Sequence, residues 1–190
     1  SEVYGTALYT PIDEKHPLQG QSPYSASKIG AEKLAESYFL SFGLPVSIIR
    51  PFNTYGPRQS ARAVIPTIIG QALQGSHVRL GNLDTIRDLT FIDDTVMGLI
   101  SSAETDEAIG ETINLGTGEA VSIRVLVQMI SMIMGKELTV QTEASRVRPP
   151  GSEVEILISN PAKALSTSGW QAKRSLEEGL ALTLGWIREN

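Results

Sequence analysis

Two side chains near the start of the sequence have types and a spacing suited to acid–base chemistry. Tyr24 and Lys28 lie four residues apart, so in a helix both would project from one face. A phenol is a poor base at neutral pH, but a neighbouring ammonium group favours its ionised form. Such a tyrosine could take the proton of a sugar hydroxyl while hydride leaves the same carbon for a nicotinamide. If the pair stood alone, a surface tyrosine beside a lysine would be a serious alternative.

Arginine replaces lysine throughout the middle of the chain. No lysine occurs between Lys33 and Lys136, whereas six arginines do, namely Arg50, Arg58, Arg62, Arg79, Arg87 and Arg124. The planar guanidinium group suits phosphate or carboxylate, whereas the ammonium of lysine is a hydrated point charge. The pattern is typical of a site for a phosphate-bearing ligand, with chance composition as the alternative.

Composition limits the class of protein. The 190 residues are 41% hydrophobic and 19% charged, so a packed core is feasible. The net charge of -5 argues against a general nucleic-acid binder. No apolar run reaches the roughly 18 residues needed to span a bilayer, and no leader segment is recognisable. The absence of cysteine fits a reducing compartment, and we expect a cytoplasmic enzyme that does not bind membranes.

Local signals predict the helix that carries Tyr24 and Lys28. Ser22 is a capping residue, Pro23 suits the first helical position, and Gly43 is a stop signal. We therefore expect a helix over residues 23–42. The β-branched run at residues 46–49 indicates a buried strand soon after it. A helix joined tightly to such a strand is half of a βαβ unit and implies a parallel sheet.

The remaining elements continue the alternation of helices and strands. Residues 1–5 indicate the end of a strand, and residues 6–22 a loop. Strands are expected at 78–80, 89–92, 112–115 and 153–159, and helices at 64–73, from a cap at Asp93 to 103, from a cap at Ser122 to 134, from Pro161 and from Ser175 to 187. The fold class is therefore α/β. The sequence Gly116-Thr117-Gly118 follows a strand but lacks a third glycine, so we interpret it as a turn and not as a pyrophosphate cradle.

Five ordered motifs carry a resemblance that covers essentially the whole chain. They lie at residues 1–5 (SEVYG), 24–28 (YSASK), 50–57 (RPFNTYGP), 87–94 (RDLTFIDD) and 114–116 (NLG). Together they resemble the extended short-chain dehydrogenase/reductase family, and within it the NAD-dependent epimerases, decarboxylases and 4,6-dehydratases of nucleotide sugars. The stretches at 19–28 and 53–62 are most similar to dehydratases of bacterial amino-sugar pathways such as legionaminic acid synthesis.

The resemblance implies roles for the residues of these motifs. Tyr24 would be the acid/base of an initial oxidation at C4 of the sugar, and Lys28 would hold the nicotinamide ribose and tune Tyr24. Pro51 would lie beside the cofactor, which is NAD. Glu2 matches the carboxylate that removes the C5 proton in 4,6-dehydratases. Ser1 matches its neighbour, which helps to expel the C6 hydroxyl and is Asp in many relatives and Ser in some.

Other activities remain open at this point. UDP-glucuronate decarboxylases carry a similar Ser-Glu pair, and 4-epimerases resemble the chain elsewhere but usually have a small residue in place of Glu2. A third hypothesis is a non-catalytic relative that binds a nucleotide sugar. For Glu2 itself, a carboxylate that caps a loop is the structural alternative.

The resemblance also implies a ligand, a nucleotide-diphosphate sugar, for the arginines. Arg87 and Arg148 match positions that clamp the diphosphate or the nucleotide ribose, and Arg62 and Arg79 fall where the nucleotide is usually contacted. Surface salt bridging is the alternative for all four. Asn53 follows a predicted strand at the carboxyl edge of a parallel sheet, where ligands bind. It could donate its amide to a phosphate oxygen, with turn formation as the alternative.

Further expectations concern partners, metals and domain organisation. The histidines His16 and His77 are isolated, so no metal site is expected. The stripe Leu34, Tyr38 and Phe42 could form a homodimer, as in relatives, or pack on its own sheet. We expect a Rossmann-like NAD-binding part at 1–60 and 89–116, and a smaller mixed α/β substrate domain at 61–88 and 117–190.

The cofactor-binding fingerprint is expected outside these 190 residues. The glycine-rich fingerprint, the acidic residue that reads the ribose and the family's catalytic Ser or Thr would all precede Ser1. A shortened chain is the favoured hypothesis, and a partner chain that supplies the rest is the alternative. In either case, we expect the 190 residues alone to bind NAD weakly and to be inactive.

Overall fold

The computed structural model describes residues 1–146 and 149–190. Within these residues the helices α1 to α6 span Pro23–Phe42, Val64–Gln74, Ile92–Ala103, Ile123–Met134, Ala162–Ser168 and Leu176–Glu189. The strands β1 to β9 span Ile48–Pro51, Asn53–Tyr55, His77–Leu80, Ile86–Arg87, Leu89–Phe91, Thr112–Leu115, Val121–Ser122, Thr139–Thr142 and Ile156–Leu157. Single 3-10 turns form at Glu2–Tyr4, Asp106–Ala108, Ala144–Arg146 and Pro150–Ser152.

Most strand pairs are parallel. Strand β1 pairs with β6, β2 with β5, and β3 with β8, all in parallel. Strand β4 pairs in parallel with β9 and antiparallel with β7. Parallel strands need long crossover connections, which the helices supply. The predicted α/β class with a parallel sheet is therefore confirmed, and the small mixed sheet includes the strand that carries Arg87.

Helices with local capping signals lie where the sequence predicts them. Helix α1 starts after Ser22, whose hydroxyl accepts a hydrogen bond from the Ser25 amide, and it ends at Gly43 in the left-handed conformation. Ser122 caps α4 in the same way, and Ser175 caps α6 in a capping box with Glu178. The observed α6 extends two residues further than expected.

Several expected boundaries were wrong. Helix α3 starts at Ile92 directly after β5, without a side-chain cap from Asp93. The neighbouring Asp94 carboxylate accepts a hydrogen bond from the Arg174 amide. The expected strand over 153–159 is reduced to Ile156–Leu157 and a bridge from Ser159 to Ile12. Residues 2–4 form a 3-10 turn in place of a strand end.

Three groups of buried apolar side chains stabilise the chain. The largest lies between α2, α4, α6 and the strands β3 and β5. The second packs the amino-terminal turn, through Val3 and Tyr4, against Phe52 and Leu157. The third lies around Leu115 and Trp170, between β6 and α5. The second group matters most for the site, because it fixes the position of the segment that carries Glu2.

No α-helix in the described part of the chain is both long and apolar enough to cross a membrane.

Candidate active site

Reciprocal hydrogen bonds between Ser22 and Ser25 cap the start of α1 and orient its first turns. The Ser25 amide donates to Ser22 Oγ (3.1 Å), and the Ser22 amide donates to Ser25 Oγ (3.0 Å). Proline at the first helical position adds a fixed backbone angle. The side chains of the next two turns are therefore held in a defined direction.

Tyr24 and Lys28 share one face of α1. The Lys28 Nζ lies 5.6 Å from the centroid of the Tyr24 ring, a distance at which an ammonium is attracted to the aromatic face. Tyr24 is 59% exposed, so its phenol is accessible to a ligand. The two side chains are therefore neighbours on α1, as their spacing predicts.

A cavity of about 940 Å³ brings the predicted catalytic and cofactor-binding residues together. Its walls include Ser1, Glu2, Tyr24, Lys28, Pro51 and Asn53. These residues come from three separate elements: the amino-terminal turn, the start of α1 and the β1–β2 segment. The Gln19 amide donates to the Val3 carbonyl (2.8 Å) and holds the turn in place. We call the cavity of about 940 Å³ the larger cavity.

A second cavity of about 380 Å³ adjoins the first and shares Glu2, Asn53 and Thr54 with it. Two of the predicted substrate residues, Arg62 and Arg87, line this smaller cavity. The side chains of Arg146 and Glu153, which sequence reasoning missed, also line it. Glu2 therefore lies where a cavity with acid–base groups meets a cavity with cations.

Arg87 is held by the backbone of the segment before β9. Its Nη1 donates to the carbonyls of Ile86 (2.9 Å) and Glu155 (3.2 Å), and its Nη2 donates to Val154 (2.5 Å). The Nη2 also lies 3.9 Å from a carboxylate oxygen of Glu153. These contacts fix the guanidinium before any ligand arrives.

The remaining predicted arginines are placed differently. Arg62 is exposed on the loop before α2 and still lines the smaller cavity. Arg79 is exposed on β3 and lies in neither cavity, because strand alternation turns Val78 and Leu80 into the core and Arg79 to solvent. Arg148 lies outside the described residues.

Two buried polar atoms in the smaller cavity have no hydrogen-bond partner among the residues that the structure describes. Asn53 Oδ1 and Gln59 Oε1 are both buried without a hydrogen bond among the described residues. A buried acceptor without a donor is costly, and both side chains line the cavity. Asn53 is the first residue of β2 and does not lie in a turn. The two side chains are suited to hydrogen bonding with a polar ligand.

A largely buried ion pair in the wall of the larger cavity was also missed. Arg50 donates to both carboxylate oxygens of Glu32, with Nε at 3.0 and 3.2 Å and Nη2 at 2.6 Å. Its Nη1 donates to the Tyr4 hydroxyl (2.8 Å), which donates to Asn114 Oδ1 (2.7 Å). Burial lowers the pKa of Arg50, but the hydrogen bonds to Glu32 and Tyr4 outweigh it, so the net shift is upward. An arginine directly after the β-branched run at residues 46–49 was the available sequence signal, since a buried cation needs a carboxylate.

The loop Gly116-Thr117-Gly118 binds a carboxylate of the protein itself. The amides of Thr117 (2.9 Å) and Gly118 (3.0 Å) donate to the buried side chain of Asp88. Ser159 donates to the same carboxylate through its amide (3.1 Å) and hydroxyl (2.6 Å). These backbone donors are therefore engaged, as expected for a structural turn.

Metal binding has no geometric support in the described residues, where no three His, Asp or Glu side chains cluster suitably. The cavities are defined instead by a phenol, an ammonium, carboxylates and arginines.

Comparisons with known proteins agree with the motifs. A family model described as GDP-mannose 4,6 dehydratase matches residues 1–183. An uncharacterized UDP-glucose epimerase of Bacillus subtilis is 31% identical over 98% of this chain and 58% of its own length. A dTDP-glucose 4,6-dehydratase of Streptomyces antibioticus is 30% identical over 100% of this chain and 56% of its own.

The fold is also similar to that of a solved structure of a nucleotide-sugar epimerase. The UDP-glucuronic acid 4-epimerase of Bacillus cereus, in complex with UDP-glucuronic acid and NAD, superposes with a TM-score of 0.91. It is 31% identical, and the match covers 100% of this chain and 59% of that one. The chain thus spans less than three fifths of the length of these relatives.

Proposed function

The chain belongs to the GDP-mannose 4,6 dehydratase family, and we propose that it forms the acid–base and substrate-binding part of an NAD-dependent nucleotide-sugar 4,6-dehydratase. The observation that carries the proposal is the meeting of the two cavities at Glu2. Tyr24 and Lys28 lie on one side of this carboxylate, and Arg62 and Arg87 on the other. A sugar located at Glu2 would have its diphosphate towards the arginines.

The residues of the larger cavity fit NAD. Lys28 and Tyr24 offer donors for a ribose, and Pro51 offers an apolar contact at the end of β1. Bound NAD would supply the acceptor for hydride from C4 of the sugar and return that hydride at C6. The comparison structure of the Bacillus cereus epimerase contains NAD, which supports this assignment.

Protein side chains would handle the protons. Tyr24 takes the proton of the C4 hydroxyl as C4 becomes a ketone, and the Lys28 ammonium stabilises the phenolate formed. The ketone acidifies the C5 proton, which Glu2 removes. Ser1, which precedes Glu2 and lines the same cavity, would hydrogen bond to the departing C6 hydroxyl. Of the two protons then held by Tyr24 and Glu2, one would leave with the C6 hydroxyl as water and the other would return to C5 as hydride is returned to C6. The net change is therefore loss of one water from the hexose.

The smaller cavity would bind the nucleotide diphosphate. Arg87 is preorganised by backbone carbonyls, so little side-chain entropy is lost when it meets a phosphate. Binding energy from this remote group positions the sugar for the chemical steps. The amide oxygens of Asn53 and Gln59 would accept hydrogen bonds from hydroxyl groups of the ligand, and Arg148 is proposed as a further contact by resemblance alone. The assignment of Arg79 to the nucleotide rests on the resemblance alone.

We propose that the chain divides into a cofactor-binding part and a substrate-binding part. Residues 1–60 and 89–116 would belong to the cofactor-binding part, and residues 61–88 and 117–190 to the substrate-binding part. In the cell we propose a cytoplasmic homodimer, with the exposed side chains of Leu34, Tyr38 and Phe42 on α1 as the contact between copies.

The proposal is tested by joining the chain to the cofactor-binding segment that its relatives possess. The joined protein is incubated with NAD and a panel of nucleotide hexoses, including N-acetylated ones, and the products are weighed by mass spectrometry. Loss of water is the expected result. Loss of carbon dioxide would identify a decarboxylase, unchanged mass with altered stereochemistry an epimerase, and saturable binding without conversion a non-catalytic relative.

The variant Glu2→Gln tests the dehydratase step by itself. We expect NADH to accumulate transiently, since C4 oxidation does not use Glu2, while dehydration slows by at least about 100-fold, as for loss of a general base. The matched control is Glu107→Gln, an exposed carboxylate outside both cavities, which should leave the rate unchanged. Normal dehydration by the Glu2 variant would remove Glu2 from the mechanism.

A further inference from the structure

We infer that Arg50 is a positioning residue for Lys28, because it engages the carboxylate that would otherwise capture the Lys28 ammonium. The inference rests on the proposed function, in which Lys28 must remain free to serve Tyr24 and the cofactor. It assigns a purpose to a buried ion pair that no proposed reaction step uses.

Lys28 and Glu32 are placed to form an ion pair with each other. They lie four residues apart on α1, and both line the larger cavity. Oppositely charged side chains at this spacing are neighbours on a helix surface and attract each other. Glu32 would therefore compete with Tyr24 for the ammonium.

The observed geometry shows a different pairing. Glu32 receives three hydrogen bonds from Arg50, on both of its oxygens. Among the ion pairs of the described residues, none within 4.0 Å joins Lys28 to Glu32. The Lys28 Nζ lies over the Tyr24 ring instead.

Arg50 is better suited than Lys28 to bind the Glu32 carboxylate. Its side chain is 7% exposed and that of Glu32 is 14% exposed, so their attraction is weakly screened. The planar guanidinium matches the carboxylate with parallel hydrogen bonds, which an ammonium cannot do. Tyr4 and Asn114 hold the guanidinium from the other side. A carboxylate neutralised in this way exerts little net pull on Lys28.

Two single variants separate this role from a structural one. Arg50→Met and Glu32→Gln both break the same buried pair, so a merely structural pair would make them behave alike. Our inference requires them to differ, because only Arg50→Met leaves a free carboxylate beside Lys28. The double variant Arg50→Met/Glu32→Gln removes that carboxylate again and should resemble the wild type at Lys28.

The readout is the Lys28 ammonium in the 190-residue chain itself. Side-chain ¹⁵N NMR of labelled lysine, assigned with a Lys28→Gln sample, reports the exchange rate of the ammonium protons with water. We expect Arg50→Met to slow this exchange by about twofold, as an ion pair at this spacing forms, and Glu32→Gln and the double variant to leave it near the wild-type rate. Equal rates in the two single variants would overturn the inference.

A replacement variant covers a failure to fold, and turnover of the joined enzyme provides a second readout. If Arg50→Met does not fold by circular dichroism, Arg50→Gln replaces it, since its neutral amide also leaves the Glu32 charge unbalanced. In the joined enzyme, Arg50→Met should lower turnover at least fivefold more than Glu32→Gln. If no variant turns over but the NMR rates differ as expected, the proposed function has failed and the pairing at Lys28 stands. If the enzyme is active and the two variants are equal in both readouts, the inference alone has failed.

Discussion

Two tyrosines near the larger cavity show how surroundings decide what a phenol can do. Tyr4 is fully buried, accepts a hydrogen bond from Arg50 and donates to Asn114. Burial raises the pKa of Tyr4, so this phenol stays protonated and committed to the protein. Tyr24 is exposed to the cavity and has an ammonium beside its ring. Of these two, Tyr24 is the one placed to exchange a proton with a ligand.

A third tyrosine, Tyr55, makes stability depend on pH. Its ring is buried, and its hydroxyl donates to the Leu176 carbonyl (3.2 Å). Burial first, and then the charge of Asp94, raise the pKa of Tyr55 above its ordinary value of 10.0. Above that pH the unfolded chain loses the phenolic proton while the folded chain keeps it, so the free energy of unfolding must fall as pH rises.

We expect Tyr55→Phe to flatten this dependence. Urea unfolding between pH 10 and 11.5 should show a slope shallower than wild type by up to about 1.4 kcal/mol per pH unit, the linkage of one group. At pH 7 the variant should lose only about 1 kcal/mol, for the single hydrogen bond to Leu176. An unchanged slope would mean that Tyr55 ionises as easily in the folded chain as in the unfolded one.

At the scale of elements, one carboxylate joins three segments that are distant in sequence. Asp88 lies between β4 and β5 and accepts hydrogen bonds from the loop at Thr117 and Gly118 and from Ser159. Its carbonyl also accepts from the Asn53 amide (3.1 Å). Arg87 is its immediate neighbour, so the same contacts fix the strand that carries the proposed phosphate clamp.

We expect Asp88→Asn to destabilise the fold although it preserves size. The amide nitrogen would face hydrogen-bond donors, and a buried charge-assisted network would be broken, at a loss of about 2–4 kcal/mol in urea unfolding. The matched control is Asp84→Asn, which removes an exposed ion pair with Arg124 and should change stability by less than about 0.5 kcal/mol. Similar losses in the two variants would contradict the role given to Asp88.

Elements whose signals are local could be predicted from the sequence, and those made by long-range contacts could not. Ser22, Ser122 and Ser175 cap helices through amides three residues away, so the sequence contains the whole interaction. The two-residue strands β7 and β9 each pair with the two-residue strand β4, and these pairings are distant in sequence. Helix α3 starts at Ile92 after Phe91, which provides no side-chain cap, so the sequence pointed to Asp93 instead.

The same distinction applies to the site over the whole molecule. Tyr24 and Lys28 share a face because of helical spacing, and the sequence sufficed to pair them. The partner of Arg50 could not be predicted, because Glu32 reaches it across the junction of α1 and β1. Glu153 and Arg146 complete the smaller cavity from a segment far along the chain, and neither lies in a motif that would have indicated it.

The assembly of the molecule can be tested on the apolar stripe of α1. Leu34, Tyr38 and Phe42 are 60%, 48% and 76% exposed. Their spacing puts them on one face of the helix, so the alternative that they pack on their own sheet is not what the structure shows.

A stable dimer buries at least about 1,200 Å² in total, and a charge at the centre of such a contact is strongly unfavourable. We expect Leu34→Glu to convert a dimer to a monomer in sedimentation equilibrium, whereas Met132→Glu, at a side chain on α4 that is 73% exposed, leaves it intact. A wild-type chain that is monomeric, or a dimer indifferent to both changes, would exclude this stripe as the contact.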